Sequence, residues 1–403
     1  MAMLRTLQSV VRPGHLRTDP VERRLANAAS VADLRRIAKR RLPRGVFDYI
    51  DGGAEDERTL AANEAAFAST ALLPRVLRGI EHVDIATDLL GRQVSYPLVL
   101  APTGFTRIAD PDGELAVARA ASRAGVPYTL STLSTRSIEE VRAVSDGRLW
   151  FQVYAWRDRG LVREMIERAH HARYEALVLT VDTAVFGRRE RDVRRGFTLP
   201  PTIGLRTVID GALHPGWTLR FMRNEPIRFA NVVGRGVGDG ASPVTLSDYI
   251  NSQFDPSLSW ADVDWLRSIW SGPIVLKGIQ SVADALIAAD LEVEAVALSN
   301  HGGRQLDGAP AAFSLVTPVA DAVGGRITII CDGGIRRGSD IVKAVAAGAT
   351  CAMAGRAYLY GLGAAGERGV DLVLEWFRSD LTRTMSLLGA ASVTELDRSL
   401  LDM

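Results

Sequence analysis

From Tyr96 onward, short runs of β-branched and other apolar residues alternate with amphipathic stretches of helical period, a pattern that commits the chain to parallel strands joined by crossover helices. The runs are YPLVLAP (96–102), PYTLS (127–131), LWFQVYA (149–155), ALVLTVD (176–182), PIVLKG (273–278), AVALSN (295–300), ITIICDGG (327–334) and ATCAMAG (349–355). Stretches such as GELAVARAASRAG, GLVREMIERAHHA, VADALIAAD and DIVKAVAAGA lie between them. Eight such units close a barrel more naturally than they fill an open sheet. The expected fold is α/β, a (β/α)8 TIM barrel starting near residue 96.

Two additions to the barrel are expected. Residues 31–67 are helical in pattern, with VADLRRIAKR apolar on one face and Pro43 interrupting before VFDYI, which predicts a small N-terminal helical cap. Residues 184–258 separate the fourth and fifth strands with a stretch rich in Gly, Pro and aromatic residues, and so long a connection predicts a functional lid or a mobile segment. Residues 1–30 are arginine-rich, contain Pro13, Gly14 and Pro20, and lack a compact apolar run with a cleavage site. They read as a surface arm, with an organelle transit peptide as the alternative and a secretory signal excluded. The organisation is thus an arm (1–30) and one domain (31–403).

Charge and composition narrow the partners. Forty-eight basic against 47 acidic side chains leave a net charge of +1, which excludes a nucleic-acid field, so any charge selectivity is local. No apolar run approaches the roughly 20 residues of a spanning helix. Cys331 and Cys351 lie inside apolar runs rather than at metal spacing, which predicts buried structural thiols in a reducing compartment and no metal site. A cytoplasmic location is expected.

In such barrels the site lies at the C-terminal mouth of the strands, and nearly every strand here ends in a polar residue. They are Pro102-Thr103, Ser131, Gln152 with Tyr154, Thr180 with Asp182, Lys277, Ser299 with His301 and Arg304, Asp332, and Gly355 with Arg356. CDGGIRRGSD and AGRAYLYG place Gly333, Gly334, Arg336, Gly355 and Arg356 where terminal strands commonly hold a phosphate. Lys277 ends an apolar strand, where a lysine either forms a Schiff base or stays charged to neutralise a developing anion. SNHGGRQLD puts His301, suited to proton abstraction, beside Arg304, suited to clamping a carboxylate. Asp182 is placed to orient His301, and Arg189 in GRRERD to add a second guanidinium. The combination points to chemistry on a carbon next to a carboxyl group.

FDYIDGGAED, LAPTGF, FQVY, LTVDT with GRRERD, SNHGGRQLD, and DGGIRRGSD with GRAYLYG together resemble the FMN-dependent 2-hydroxy acid dehydrogenases and oxidases, over roughly Val31 to Asp397. The resemblance implies FMN as cofactor and oxidation of an L-2-hydroxy acid to the 2-oxo acid. It implies that Pro102, Thr103 and Gly104 meet the flavin near N5, that Ser131, Gln152 and Thr180 hydrogen-bond the ring, and that Lys277 stands beside N1. Ser299 joins that cofactor-binding set, Asp332 matches the ribityl contact, and Gly333, Gly334, Arg336, Gly355 and Arg356 match the phosphate site. Tyr49 and Arg304 match carboxylate ligands, Arg189 a supporting arginine, Tyr154 the tyrosine near the substrate hydroxyl, His301 the base and Asp182 its partner.

L-lactate is the first expectation for substrate, and mandelate or a longer hydroxy acid the second, with Leu133 at a variable position and Gly104 where some relatives carry alanine. The resemblance also implies an acceptor such as quinone, cytochrome or oxygen, and a homo-oligomer such as a tetramer. Peripheral contact with the inner face of a membrane rests on residues 196–250, which hold five arginines against four acids together with Trp217, Phe221 and Phe229. Two rivals stay open: a Schiff-base barrel using Lys277, and a catalytically silent flavin-binding protein.

Overall fold

The computed structural model describes residues 18–196, 204–232 and 252–402. Eight parallel strands close a barrel in chain order: β1 Leu98–Leu100, β2 Tyr128–Ser131, β3 Leu149–Val153, β4 Ala176–Thr180, β5 Ile274–Ile279, β6 Ala295–Ser299, β7 Thr328–Asp332 and β8 Cys351–Ala354. Each falls within or one residue beyond an expected run. Three begin directly after a proline, because Pro97, Pro127 and Pro273 have no N–H to donate to a ladder. Their carbonyls still accept, from Ala352, Leu100 and Leu177 respectively.

The period of two along each strand sorts side chains between two cores. Trp150, Val178, Val275, Ala297, Ile330 and Met353 fill the barrel interior, whose floor is closed by the hairpin of Thr87–Leu89 and Arg92–Val94. Leu98, Phe151, Leu177, Leu276 and Leu298 point outward into the shell beneath the helices. Truncating the fully buried Trp150 to alanine would empty the interior at a cost of about 3–5 kcal/mol. One step of two residues beyond this apolar layer, the inward positions become Gln152, Thr180, Lys277, Ser299 and Asp332. The barrel is therefore oily below and polar at its C-terminal mouth.

A helical cap covers that mouth. A short helix, α1 (Pro20–Leu25), lies within the expected arm, whose residues 1–17 are outside the described residues. It is followed by α2 (Val31–Arg41), capped by the Ser30 hydroxyl, then α3 (Arg44–Asp51), started by Pro43, and α4 (Arg58–Ser69). Asn63 on α4 and Asn300 after β6, both buried, exchange two amide hydrogen bonds of 2.8 Å, which dock the cap onto the barrel loops. The connection after β4 carries helices Glu190–Arg195, Leu205–Leu213 and Pro215–Arg223. The expectation of a lid there extends over 197–203 and 233–251, outside the described residues. Cys331 and Cys351 are free and buried, as their apolar surroundings predict.

Candidate functional site

His301, Gly302 and Gly303 follow β6 with φ of 58°, 65° and 73°, and this left-handed run turns the chain back over the mouth. A side chain at Gly303 would place Cβ 2.5 Å from the Leu60 amide nitrogen, so the turn fits against the cap only with glycine there. A non-glycine residue in this region is strained, and here the strained residue is the histidine. Its backbone N–H donates to Ser299 Oγ at 3.1 Å, and its Nδ1 lies 3.0 Å from Asp182 Oδ1 at the end of β4.

The Asp182 side chain is only 1% exposed. Burial pushes its carboxyl up, but the facing His301 and the charge of Lys277 hold it below the usual carboxylate range. An ionised carboxylate only accepts, so Nδ1 carries a hydrogen, and in the neutral ring the lone pair falls on Nε2. That lone pair belongs to a ring lining the mouth cavity.

Across the cavity stands a cationic clamp. Arg304 donates from Nη1 to the carbonyls of Tyr49 (2.8 Å) and Gly52 (2.9 Å), and the guanidinium groups of Arg304 and Arg189 stack on the Tyr49 ring at 5.1 and 5.4 Å. Burial, with the nearby Arg189 adding to it, lowers Arg304 to about 9. A buried cation destabilised by a second cation is a receptor for an anion. Tyr154 lies beside them, and burial raises its phenol, so its hydroxyl stays a donor.

The polar ring of the mouth forms two hydrogen-bonded arcs. In one, Ser131 Oγ donates to Gln152 Oε1 (3.1 Å) and Gln152 Nε2 donates to Thr180 Oγ1 (3.0 Å). In the other, Ser299 Oγ donates to Asp332 Oδ2 (2.7 Å), while Lys277 Nζ reaches Ser299 Oγ (3.1 Å) and Asp332 Oδ2 (2.8 Å). Burial alone would discharge Lys277, but Asp332 and Asp182 outweigh it and raise its pKa above the ordinary lysine value. A lysine held as ammonium is no nucleophile, which argues against the Schiff-base alternative.

One amide hydrogen of Gln152, the hydroxyl hydrogen of Thr180 and the third hydrogen of Lys277 have no acceptor among the described residues. Three buried donors converging on one cavity suit the acceptor-rich edge of a flavin ring. Oδ1 of Asp332 is likewise left to accept from a hydroxyl.

All the residues expected from the sequence line this one cavity except Asp182 and Ser299, which stand directly behind it. Two arginines are used differently from the simplest expectation. Arg356 is tied to the carbonyls of Ile50 (3.1 Å), Gly302 (2.8 Å) and Gly52 (2.8 Å), so it braces cap against loop while carrying its charge. Arg336 pairs with Glu64 at 2.8 Å at the end of the cavity beside Gly333 and Gly334. Sequence reasoning passed over Phe105, Phe186, Gln305 and Met353, which also line the cavity. Phe105 has φ 57° and packs edge-on to Phe229 at 4.5 Å, a contact no local pattern announces.

A family model described as FMN-dependent dehydrogenase matches residues 38–403. The chain is 41% identical over 374 residues to an L-lactate dehydrogenase of Caulobacter vibrioides, covering 93% of this chain and 97% of that protein. Among solved structures, it is similar to the monotopic membrane protein (S)-mandelate dehydrogenase, with a TM-score of 0.89 and 39% identity over 93% of this chain and 99% of the other. It also resembles a mandelate oxidase, with a TM-score of 0.79 and 38% identity over 93% and 97% of the two chains. The chain belongs to the FMN-dependent dehydrogenase family. FMN is its cofactor, and the converging donors are the part of the mouth that would hold the flavin ring.

Proposed function

We propose that this enzyme oxidises an L-2-hydroxy acid, L-lactate first, to the 2-oxo acid, with His301 as the base. The observation that carries this reading is His301: its Nδ1 is held 3.0 Å from the buried Asp182 carboxylate, and its ring lines a cavity that also holds the Arg304, Arg189 and Tyr49 clamp. Bound FMN supplies the two-electron acceptor. Arg304, Arg189 and Tyr49 bind the carboxylate, and Tyr154 donates to the substrate hydroxyl. His301 Nε2 removes a proton, and Asp182 stabilises the imidazolium that results. Gln152 and Thr180 would orient the ring through their free hydrogens, Lys277 would hold positive charge against the negative charge that develops, and Gly333, Gly334 and Arg336 would hold the phosphate end.

Anaerobic bleaching of the flavin on mixing with L-lactate tests this. A His301→Ala variant that bleached at the wild-type rate would overturn it, and a wild-type protein that bleached with no 2-hydroxy acid would restore the silent-binder alternative.

A second substrate reading, mandelate or a longer hydroxy acid, is favoured by the apolar wall formed by Leu133, Phe105 and Phe186. Comparing glycolate, L-lactate, (S)-mandelate and longer acids in the same assay separates the two, and adding quinone, cytochrome or oxygen afterwards identifies the acceptor.

Peripheral membrane contact is supported by helices Leu205–Leu213 and Pro215–Arg223, where Leu205, Val208, Leu213, Leu219 and Met222 are all more than half exposed beside Arg206 and Arg223. Of the aromatic residues expected to serve this contact, Phe221 is exposed and stacks on Trp217, but Phe229 is buried in the core. No helix among the described residues is long and apolar enough to cross a membrane. Co-sedimentation with anionic vesicles, lost when Leu205, Val208 and Met222 are replaced by serine, tests the contact. Light scattering tests the expected tetramer.

A further inference from the structure

We infer that Gln305 is a positioning residue that holds the Asp182 end of the loop after β4, and through it the orientation of His301; the inference rests on the reading of His301 as base. Gln305 follows Arg304 on the loop after β6, yet its carboxamide bonds only to the other loop. Nε2 donates to the carbonyls of Asp182 and Val185, each at 2.8 Å, and Oε1 accepts the Gly187 N–H at 3.0 Å. Both amide hydrogens and the carbonyl oxygen are therefore committed to one arc of backbone, 182–187.

Apart from Gln305 and the Asp182–His301 pair, the arc is held among the described residues by packing alone: Thr183 is buried and the Phe186 ring lies 4.3 Å from that of Phe254, while Val185 between them is 71% exposed. Among the described residues, no other side chain of the β6 loop bonds to the backbone of 182–187. Gly187 shows how closely the two loops meet: a Cβ there would lie 2.3 Å from the Arg304 carbonyl oxygen and 2.7 Å from Gln305 Cα.

The far end of the loop is anchored separately. The Arg188 carbonyl accepts from the Glu55 N–H (2.9 Å), Arg191 pairs with Asp51 (3.0 Å) and Glu57, and Arg195 pairs with Asp48 (3.0 Å). These bonds keep Arg189 over Tyr49 whatever happens at the near end. Losing the Gln305 bonds thus releases the peptide that carries the Asp182 carboxylate while sparing the substrate clamp. The rate of proton removal depends on that alignment, and misplacement by about 1 Å costs on the order of 100-fold.

The test is anaerobic flavin reduction over a range of L-lactate concentrations in the holoenzyme, comparing Gln305→Met, Gln305→Glu and His301→Ala with wild type. Methionine keeps the length and removes the donors, whereas glutamate keeps an acceptor and also removes them. Both are expected to lower the limiting reduction rate about 10- to 100-fold. The half-saturation concentration and flavin content should stay near wild type.

A wild-type limiting rate in Gln305→Met, with His301→Ala inactive, would overturn the assignment and leave the base intact. So would a Gln305→Met protein that loses flavin and melts early but keeps the wild-type rate per bound flavin. If His301→Ala itself reduces its flavin at the wild-type rate, the base reading fails first and this inference falls with it.

Discussion

Asp182→Asn is the sharpest single test of the catalytic geometry, because it keeps the shape of a residue that never touches the cavity. The carboxylate accepts from His301 Nδ1 at 3.0 Å and is almost wholly shielded from water. A hydrogen bond to a charged group in such a place is worth about 1.5–3 kcal/mol. If that stabilisation is felt by the imidazolium formed as the proton leaves, its loss lowers the rate about 10- to 150-fold, at about 1.4 kcal/mol per factor of ten. The amide adds a second penalty: its NH2 can face Nδ1, which forces the hydrogen onto Nε2 and leaves the base without its lone pair. The loss should therefore fall at the upper end of the range. Substrate binding should change by less than about twofold, since Arg304, Arg189 and Tyr49 are untouched. Stopped-flow bleaching over a range of L-lactate concentrations separates the two quantities. A wild-type limiting rate, or a defect confined to half-saturation, would refute the reasoning.

Lys277→Met strands Asp332 without its ammonium partner in a buried mouth, so the apoprotein should lose about 3–5 kcal/mol by urea unfolding and bind FMN poorly; unchanged values for both would show that the pair is not interior. Arg304 is charged below about 9, so the apparent KM for a hydroxy acid should be flat through neutrality and rise above that pH, by at most about tenfold per unit, as the clamp loses its proton. A KM flat to pH 11 would show that the guanidinium keeps its proton despite its burial. Gly278 has φ 112° at the end of β5, where a Cβ would lie 2.8 Å from Asp182 Cβ, so Gly278→Ala should cost about 1–3 kcal/mol of stability and slow flavin reduction as well. Equal stability by urea unfolding would mean the backbone relaxes there at no cost.

What could be read from the sequence follows the range of the interactions involved. Strand runs and their polar ends are local, so the eight barrel strands and residues such as Gln152, Lys277 and Asp332 stand out by periodicity and by fold geometry. The barrel mouth needs only the step from Val275 to Lys277 or from Ile330 to Asp332 to change from oily to polar, and that step is written in the chain. The cap is legible as helices but its docking is not. Asn63 and Asn300 are 237 positions apart, and nothing local says that two amides will pair. Gln305 reads as one more polar residue after Arg304 until its three bonds to 182–187 are seen. Phe229 misleads for the same reason: in a stretch of mixed arginine and aromatic residues it looks like a surface anchor, and only its contact with Phe105 places it in the core.

The charges of the mouth explain why these distant contacts are needed. Lys277 has Asp332 and His301 has Asp182, but the guanidinium of Arg304 is bonded only to backbone carbonyls, and Arg189 lies 3.5 Å from a carboxylate, that of Asp192. Burial pushes Asp192 up, so it too is held at some cost. An anion entering this mouth relieves a positive charge that the fold itself leaves poorly compensated, and the free protein tolerates that charge only because the cap is fastened from behind. Asp51, 3% exposed on the helix that carries Tyr49, accepts from Arg35 (2.5 Å), Arg191 (3.0 Å) and Tyr360 (2.8 Å). Without those bonds the repulsion between Arg304 and Arg189 would have a way out, by lifting α3 and its tyrosine off the barrel. The ion pairs behind the cap and the cations in front of it are thus two sides of one arrangement, in which bonds to the buried Asp51 hold closed a site whose cations an anion would compensate.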